Sequence, residues 1–98
     1  MFLTSFTGST APAVSPAAGG DSWTRVVEHA EFSPRDTASG AVFQGRMWLS
    51  NGYPDGIRDL WSSADGVSWT KVLDRTPYDA YSKLIVYKGK MWAVSSTV

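Results

Sequence analysis

The chain is 98 residues long and carries nine basic and nine acidic side chains, which leaves it with no net charge. This length holds one small domain at most. The charge balance argues against a nucleic-acid surface, because phosphate binding needs an excess of Lys and Arg on one face. The absence of cysteine excludes disulfides, thiolate metal sites and a thiol nucleophile, and it leaves the cellular compartment undetermined.

The amino-terminal stretch, residues 1–20, carries no charge and consists mainly of Ala, Ser, Thr, Pro and Gly. Polar residues beginning at Thr4 interrupt the apolar run that a secretory signal requires, and no stretch is long enough to span a membrane. Met1–Thr4 nevertheless matches Met47–Ser50 at an offset of 46 positions. We therefore interpret residues 1–22 as a degenerate or frayed part of a first repeat, with disorder or the remnant of a signal peptide as the alternatives.

Residues 23–98 carry a sequence repeat. Trp23–Val27 returns as Trp69–Leu73 at an offset of 46, and Phe43–Trp48 returns as Tyr87–Trp92 at an offset of 44. A period of this size, with Trp and Gly at fixed places, indicates units that bury their apolar faces only against copies of themselves.

The apolar residues follow the two-residue period of β-strands, and no segment has the 3.6-residue period of a helix of useful length. Turn pairs at Gln44-Gly45, Asp65-Gly66 and Lys88-Gly89 separate successive strands. Met47–Leu49 is apolar on both faces, so further sheets must cover both sides of its sheet. The predicted strands are Ala38–Phe43, Arg46–Ser50, Arg58–Ser63, Ser68–Leu73, Lys83–Tyr87 and Lys90–Val94.

These features predict an all-β fold of antiparallel four-stranded meander repeats, which amount to about two blades of a partial or open β-propeller. In such a fold the turn glycines adopt backbone conformations that other residues avoid, and the repeated tryptophans pack between sheets. The residues with these predicted turn and core roles are Gly45, Trp48, Asp65, Gly66, Trp69, Gly89 and Trp92.

The segment from Trp23 to Val94 resembles the kelch-type blades of galactose-oxidase-like propellers, although Ser50–Gly52 stands where those repeats carry paired glycines. The resemblance implies the same propeller fold. The segments that carry it are Trp23–Val26, Phe32–Arg35, Val42–Trp48 and Asp59–Trp61.

Ser63–Trp69 is similar to the Asp-box of sialidase-type and related propellers, in a short form that lacks a residue between Asp65 and Gly66. In those families the motif lies away from the catalytic centre. The resemblance therefore implies that Asp65 is a structural turn residue, whose carboxylate accepts backbone N–H groups across the turn.

No constellation of residues predicts catalysis by this chain alone. His29 is the only histidine, and there is no second His or Cys to complete a metal site or a nucleophile–base pair. Asp55 and Asp59 lie in a turn-rich stretch, where two acids more often indicate solvation than the carboxylate pair of a glycosidase. We expect neither a cofactor nor a metal.

Loops of a meander alternate between its two ends, so the tight turns share one rim and the three long loops share the other. The long loops are residues 28–37, 51–57 and 74–82. Their aromatic and charged side chains are candidates for stacking on and hydrogen bonding to a sugar or peptide, the alternative being that they pack their own loops. The candidate ligand-binding residues are Phe32, Arg35, Tyr53, Asp55, Tyr78, Asp79 and Tyr81.

The sequence therefore predicts a non-catalytic propeller repeat module for binding or scaffolding on a glycan or protein surface. The alternative is a piece of a carbohydrate-active propeller enzyme, sialidase-like or galactose-oxidase-like, with its catalytic residues outside this chain. A propeller needs about four to eight blades, so the missing blades are expected from a longer chain or from copies of this one, in a ring or by strand exchange. An open stack that persists as a monomer is the third possibility.

Overall fold

The computed structural model describes residues 3–5, 22–54 and 56–95. Within this part of the chain the fold is all-β and contains no helix. The eight strands form a four-stranded antiparallel sheet of order β3-β4-β5-β6 and two antiparallel pairs, β1-β2 and β7-β8. The strands are β1 Leu3–Ser5, β2 Thr24–Val27, β3 Ser39–Phe43, β4 Arg46–Gly52, β5 Ile57–Ser63, β6 Thr70–Leu73, β7 Lys83–Tyr87 and β8 Lys90–Val94.

Both repeated hairpins turn in the same way. Gln44 and Gly45 have φ values of 53° and 72°, and Lys88 and Gly89 have values of 50° and 73°. Positive φ at both central residues defines the type I′ turn, whose twist matches that of paired antiparallel strands. The strand register is also shared, because every pair between β7 and β8 lies 44 positions after its counterpart between β3 and β4.

The repeated tryptophans form the same hydrogen bond in both hairpins. The indole Nε1–H of Trp48 donates to the carbonyl oxygen of Phe43 at 3.0 Å, and that of Trp92 donates to the carbonyl oxygen of Tyr87 at 3.1 Å. The indole therefore satisfies its only donor within its own hairpin. The sequence repeat is thus also a repeat of side-chain geometry.

Replacing Gly45 with alanine is expected to lower the free energy of unfolding by about 1–2 kcal/mol, because its φ of 72° is unfavourable for a residue with a Cβ atom. Apart from Gly45 and its two chain neighbours, no atom lies within 4 Å of the position that the added Cβ would occupy, so the loss arises from the backbone conformation and not from a clash with the rest of the fold. Urea denaturation followed by circular dichroism would measure it. Gly45→Asn is the control and should lose less, since Asn tolerates this conformation.

The main apolar core lies on one face of the four-stranded sheet. It consists of the buried side chains of Phe32, Leu49, Trp61 and Trp69. The Phe32 ring meets the Trp69 ring edge-on with centroids 5.2 Å apart, and it meets that of Trp61 at 6.0 Å. Phe32 comes from the loop after β2, so it covers this face of the sheet from the preceding part of the chain.

The β7–β8 hairpin covers part of the opposite face of the four-stranded sheet, at β3. Strands β3 and β7 contact each other, and the backbone N–H of Leu84 donates to the Oγ of Ser39 at 2.8 Å. Leu84 is 6% exposed and Ser39 is 8% exposed. Both faces of the sheet are therefore partly covered, as the apolar alternation in β4 predicts.

The predicted strands agree with the observed ones within two residues at each end, except at the first repeat. The alignment of Met1–Thr4 with Met47–Ser50 makes β1 the counterpart of β4, whereas β1 pairs with β2 in the register that β5 has with β6. This part of the repeat prediction is wrong, because the two-residue period of a short apolar strand fits any strand of the sheet.

Trp92 also differs from its predicted place in the core, since it is 47% exposed. The reason is topological: its counterpart Trp48 lies on a strand with neighbours on both edges, whereas β8 has only β7 beside it among the described residues.

No helix in the described ranges is long and apolar enough to cross a membrane.

Candidate functional site

The three long loops are joined at one end of the four-stranded sheet by backbone hydrogen bonds. Asp36 and Tyr53 exchange a pair of N–H to carbonyl bonds at 3.0 and 2.8 Å. The N–H of Gly52 donates to the carbonyl of Ala80 at 3.2 Å. The loop that follows β4 therefore holds the other two loops, one on each side. We call this end of the sheet the long-loop rim.

Asn51 is the polar centre beneath the long-loop rim. It is fully buried, and its φ of 58° lies in the left-handed region that Asn tolerates better than most residues. Its Nδ2 donates to the carbonyl of Asp79 at 2.7 Å, and its Oδ1 accepts from the Oγ1 of Thr76 at 3.2 Å. These bonds fix the loop of residues 74–82 against the end of β4.

A buried ion pair between Arg35 and Asp59 also supports these loops. Two nitrogens of the Arg35 guanidinium donate to the two carboxylate oxygens of Asp59, at 2.5 and 3.1 Å. Arg35 also donates to the backbone carbonyl of Asn51 at 3.2 Å and to Ser33 through its carbonyl and hydroxyl oxygens. The Arg35 side chain is fully buried and that of Asp59 is 15% exposed. This bidentate geometry gives the pair both strength and a fixed orientation.

The Asp59 carboxyl is held in its charged form. Burial raises its pKa, but hydrogen bonds, that of Arg35 first among them, and the positive charge of Arg35 together outweigh burial and bring the pKa below its usual 3.8. The carboxylate is therefore ionised at neutral pH and committed to Arg35. It has the role of a structural anion and is poorly suited to be a proton donor.

The structure divides the predicted ligand-binding residues into buried and exposed groups. Phe32 is 3% exposed and lies in the core, and Arg35 is 7% exposed and bound to Asp59. Both side chains are therefore packed inside the protein, against residues of the four-stranded sheet, and do not form part of the exposed surface of the rim. Tyr53 and Tyr81 are 52% and 38% exposed.

The remaining candidates are partly engaged. The hydroxyl of Tyr78 hydrogen bonds with the Oγ of Ser50 at 2.8 Å. Asp79 is half-buried, its carboxylate accepts the N–H of Tyr81 at 2.9 Å, and its other oxygen accepts the hydroxyl of Ser95. Asp55 lies outside the described residues. The exposed aromatic surface of the rim is therefore carried by Tyr53 and Tyr81.

Asp65 lies at the opposite rim and has the geometry of a turn residue. Its Oδ1 accepts the backbone N–H groups of Val67 at 2.8 Å and Ser68 at 3.0 Å. The hydrogen bonds from Ser68 and Val67 lower the pKa of this exposed carboxyl. Next to it, Gly66 has a φ of 81°, and its carbonyl accepts the indole N–H of Trp69 at 3.1 Å. The carboxylate thus organises the β5–β6 connection.

Sequence reasoning missed Asn51 and Thr76, which join the loops, and it did not pair Arg35 with Asp59. The dipeptide Asn51-Gly52 was an available signal, because both residues favour positive φ and mark a special backbone conformation. Thr76 carries no comparable signal, since its role depends on a contact with a residue 25 positions away.

Among the described residues no group of three or more His, Asp or Glu side chains is arranged to hold a metal ion. Comparison of the chain with family models, with curated proteins and with solved structures returned no match in any of the three. The arguments that follow therefore rest on the geometry and the sequence repeat.

Proposed function

We propose that this chain is a non-catalytic β-propeller repeat module that binds a glycan or a protein surface through its long-loop rim. The observation that supports the proposal is that two exposed tyrosines lie on loops whose backbones are hydrogen bonded to each other. Tyr53 and Tyr81 directly follow Gly52 and Ala80, whose backbone groups are hydrogen bonded at 3.2 Å. Two exposed tyrosine rings therefore lie on neighbouring loops that are held together by a backbone hydrogen bond.

A fixed rim of this kind favours binding because less conformational freedom is lost when a ligand is held. Tyrosine adds a broad apolar face and a hydroxyl group with little entropy cost. Sugars offer apolar ring faces beside hydroxyls, so a glycan suits both parts of the side chain. The buried Asn51 and the Arg35–Asp59 pair are structural supports in this account and do not contact the ligand.

Replacement of Tyr53 and Tyr81 by alanine, singly and together, is expected to weaken glycan binding while leaving the thermal midpoint within a few degrees of the wild type, because both residues are exposed and neither belongs to the main apolar core. A glycan array identifies the ligand, and titration calorimetry with the strongest hit measures each variant. Val67→Ala is the matched control, since Val67 is 44% exposed on the opposite rim.

Folded protein that binds no glycan on the array contradicts the glycan form of the proposal. Capture of a protein partner that is lost in the double tyrosine variant and kept in Val67→Ala would then support the protein-surface form. Equal binding by all variants would contradict the proposal that the long-loop rim is the binding surface.

A further inference from the structure

The two strand pairs of this chain correspond to the two halves of its four-stranded sheet. The β7–β8 pair has the register of β3–β4, displaced by 44 positions. The β1–β2 pair has the register of β5–β6: Leu3 faces Val27 as Leu60 faces Leu73, and Ser5 faces Thr24 as Ser62 faces Thr70.

The irregularity in the register is shared as well. In β1 it falls between Leu3 and Thr4, and in β5 it falls between Leu60 and Trp61, the positions that correspond in the two pairings. A bulge at a matching place is a specific structural feature, since bulges set the local twist of a strand. The chain therefore contains one whole sheet, the second half of another and the first half of a third.

We propose that a second copy of this chain completes the β7–β8 pair with its own β1–β2 pair, so that β8 of one copy and β1 of the next form a continuous antiparallel sheet. The junction between β4 and β5 gives the register, in which Trp48 faces Ser62 and Leu49 faces Trp61. By the same offsets Trp92 faces Ser5 of the second copy and Ala93 faces its Thr4. This inference rests on the repeat-module part of the proposed function and does not depend on the ligand.

The exposed faces of the chain agree with this arrangement. One face of the β7–β8 pair is an open apolar groove, and its side chains are 47–57% exposed. A second groove lies on the face of β3–β4 that looks away from β7, where Val42 is 70% exposed. The first groove is lined by Ile85, Tyr87, Trp92 and Val94, and the second includes Gly40, Val42, Met47, Leu49 and Trp69.

A completed sheet would be followed in the ring by the four-stranded sheet of the second copy, which brings the first groove of one copy against the second groove of the next. Side-chain sizes at the counterpart positions are reversed between the two contacts. Within one chain the face of β3 that carries Ser39 and the small Ala41 meets the face of β7 that carries the large Leu84. Between copies the face of β7 that carries the large Ile85 would meet the face of β3 that carries Gly40. Such an exchange keeps the packed volume similar.

The eight strands that the structure describes in each copy make two sheets of four, so two, three or four copies would close rings of four, six or eight sheets, within the range of about four to eight in which propellers close. The contact between copies is head-to-tail. Such contacts produce a closed ring when the rotation that relates one copy to the next divides a full turn into equal parts. Light scattering of the whole chain is expected to give a single species of two, three or four times 10.7 kDa. A monomer at every concentration overturns the proposal.

Cross-linking tests the register without depending on the mass alone. The chain has no cysteine, so a Thr4→Cys chain and a tagged Ala93→Cys chain, refolded together and oxidised, are expected to give a disulfide-linked heterodimer. Directly opposed residues of antiparallel strands lie about 4.5–5.5 Å apart, which suits a disulfide. Leu3→Cys in place of Thr4→Cys is the control, because a shift of one residue turns the side chain to the other face.

An oligomer in which the Leu3 and Thr4 variants cross-link equally, or in which neither does, also overturns the proposal. The result is separable from the ligand question. A ring without glycan binding would contradict only the ligand, and a monomer that binds glycan through Tyr53 would contradict only the assembly.

Discussion

Replacement of Trp69 by alanine is expected to lower the free energy of unfolding by about 3–5 kcal/mol. Trp69 is 6% exposed, its ring meets that of Phe32 edge-on, and its indole N–H donates to Gly66. The substitution leaves a cavity in the core and removes the bond that holds the β5–β6 turn. A loss of this size is a large part of the about 5–15 kcal/mol that typically stabilises a domain. Urea denaturation followed by far-ultraviolet circular dichroism measures it.

The control for Trp69→Ala is Tyr53→Ala, in which another large aromatic side chain is truncated at an exposed site. Tyr53 is 52% exposed, and its truncation is expected to change the free energy of unfolding by no more than about 0.5 kcal/mol. Equal melting temperatures for the two variants would show that Trp69 does not belong to the core of the folded protein.

Removal of one member of the buried ion pair is expected to have the second large effect. Asp59→Ala leaves the fully buried guanidinium of Arg35 without its counter-ion, at a cost of about 3–5 kcal/mol. Asp59→Asn keeps one acceptor oxygen and should lose less. Replacing both partners, by Arg35→Met with Asp59→Leu, should recover part of the loss, because no uncompensated charge then remains. A double variant as unstable as the sum of its parts would contradict this coupling.

The same pair predicts a dependence of stability on pH. The pKa of Asp59 in the folded chain lies below its usual 3.8, so the unfolded state takes up the proton first as the pH falls. The stabilisation is fully present above pH 3.8 and is lost as the pH falls further, through the pKa of the folded state. Asp59→Ala should lack this part of the acid transition, which thermal melts between neutral and strongly acidic pH would reveal.

The hairpins and their turns were predictable from the sequence because their determinants are local. Gln44-Gly45 and Lys88-Gly89 mark turns through their backbone preferences, and the alternating residues on either side fix the register. For the long-loop rim, the sequence predicts only which end of the sheet carries the long loops and not which of their side chains are exposed. The position of Phe32 and Arg35 in a loop predicts that they lie at the surface, whereas their burial depends on residues of β5 and on the four-stranded sheet as a whole.

The identity of β1 was beyond sequence reasoning for a different reason. A strand of three residues shows at most two alternations between apolar and polar side chains, and this pattern fits β4 and β5 equally well. Only the pairing with β2 shows which strand of the repeat β1 corresponds to. The buried network around Asn51 is similar, since its bonds join residues 25 and 28 positions apart. Local propensity carries no information on such pairs.

The indole hydrogen bonds of Trp48 and Trp92 have a consequence for loop-closure entropy. Each bond spans five residues inside one hairpin, whereas the contact between Ser39 and Leu84 spans 45. The entropy lost when two points of a chain are joined grows with the logarithm of the length between them. The hairpins are therefore units of low contact order, and the docking of one hairpin on the neighbouring sheet closes a much longer loop than the formation of the hairpin itself.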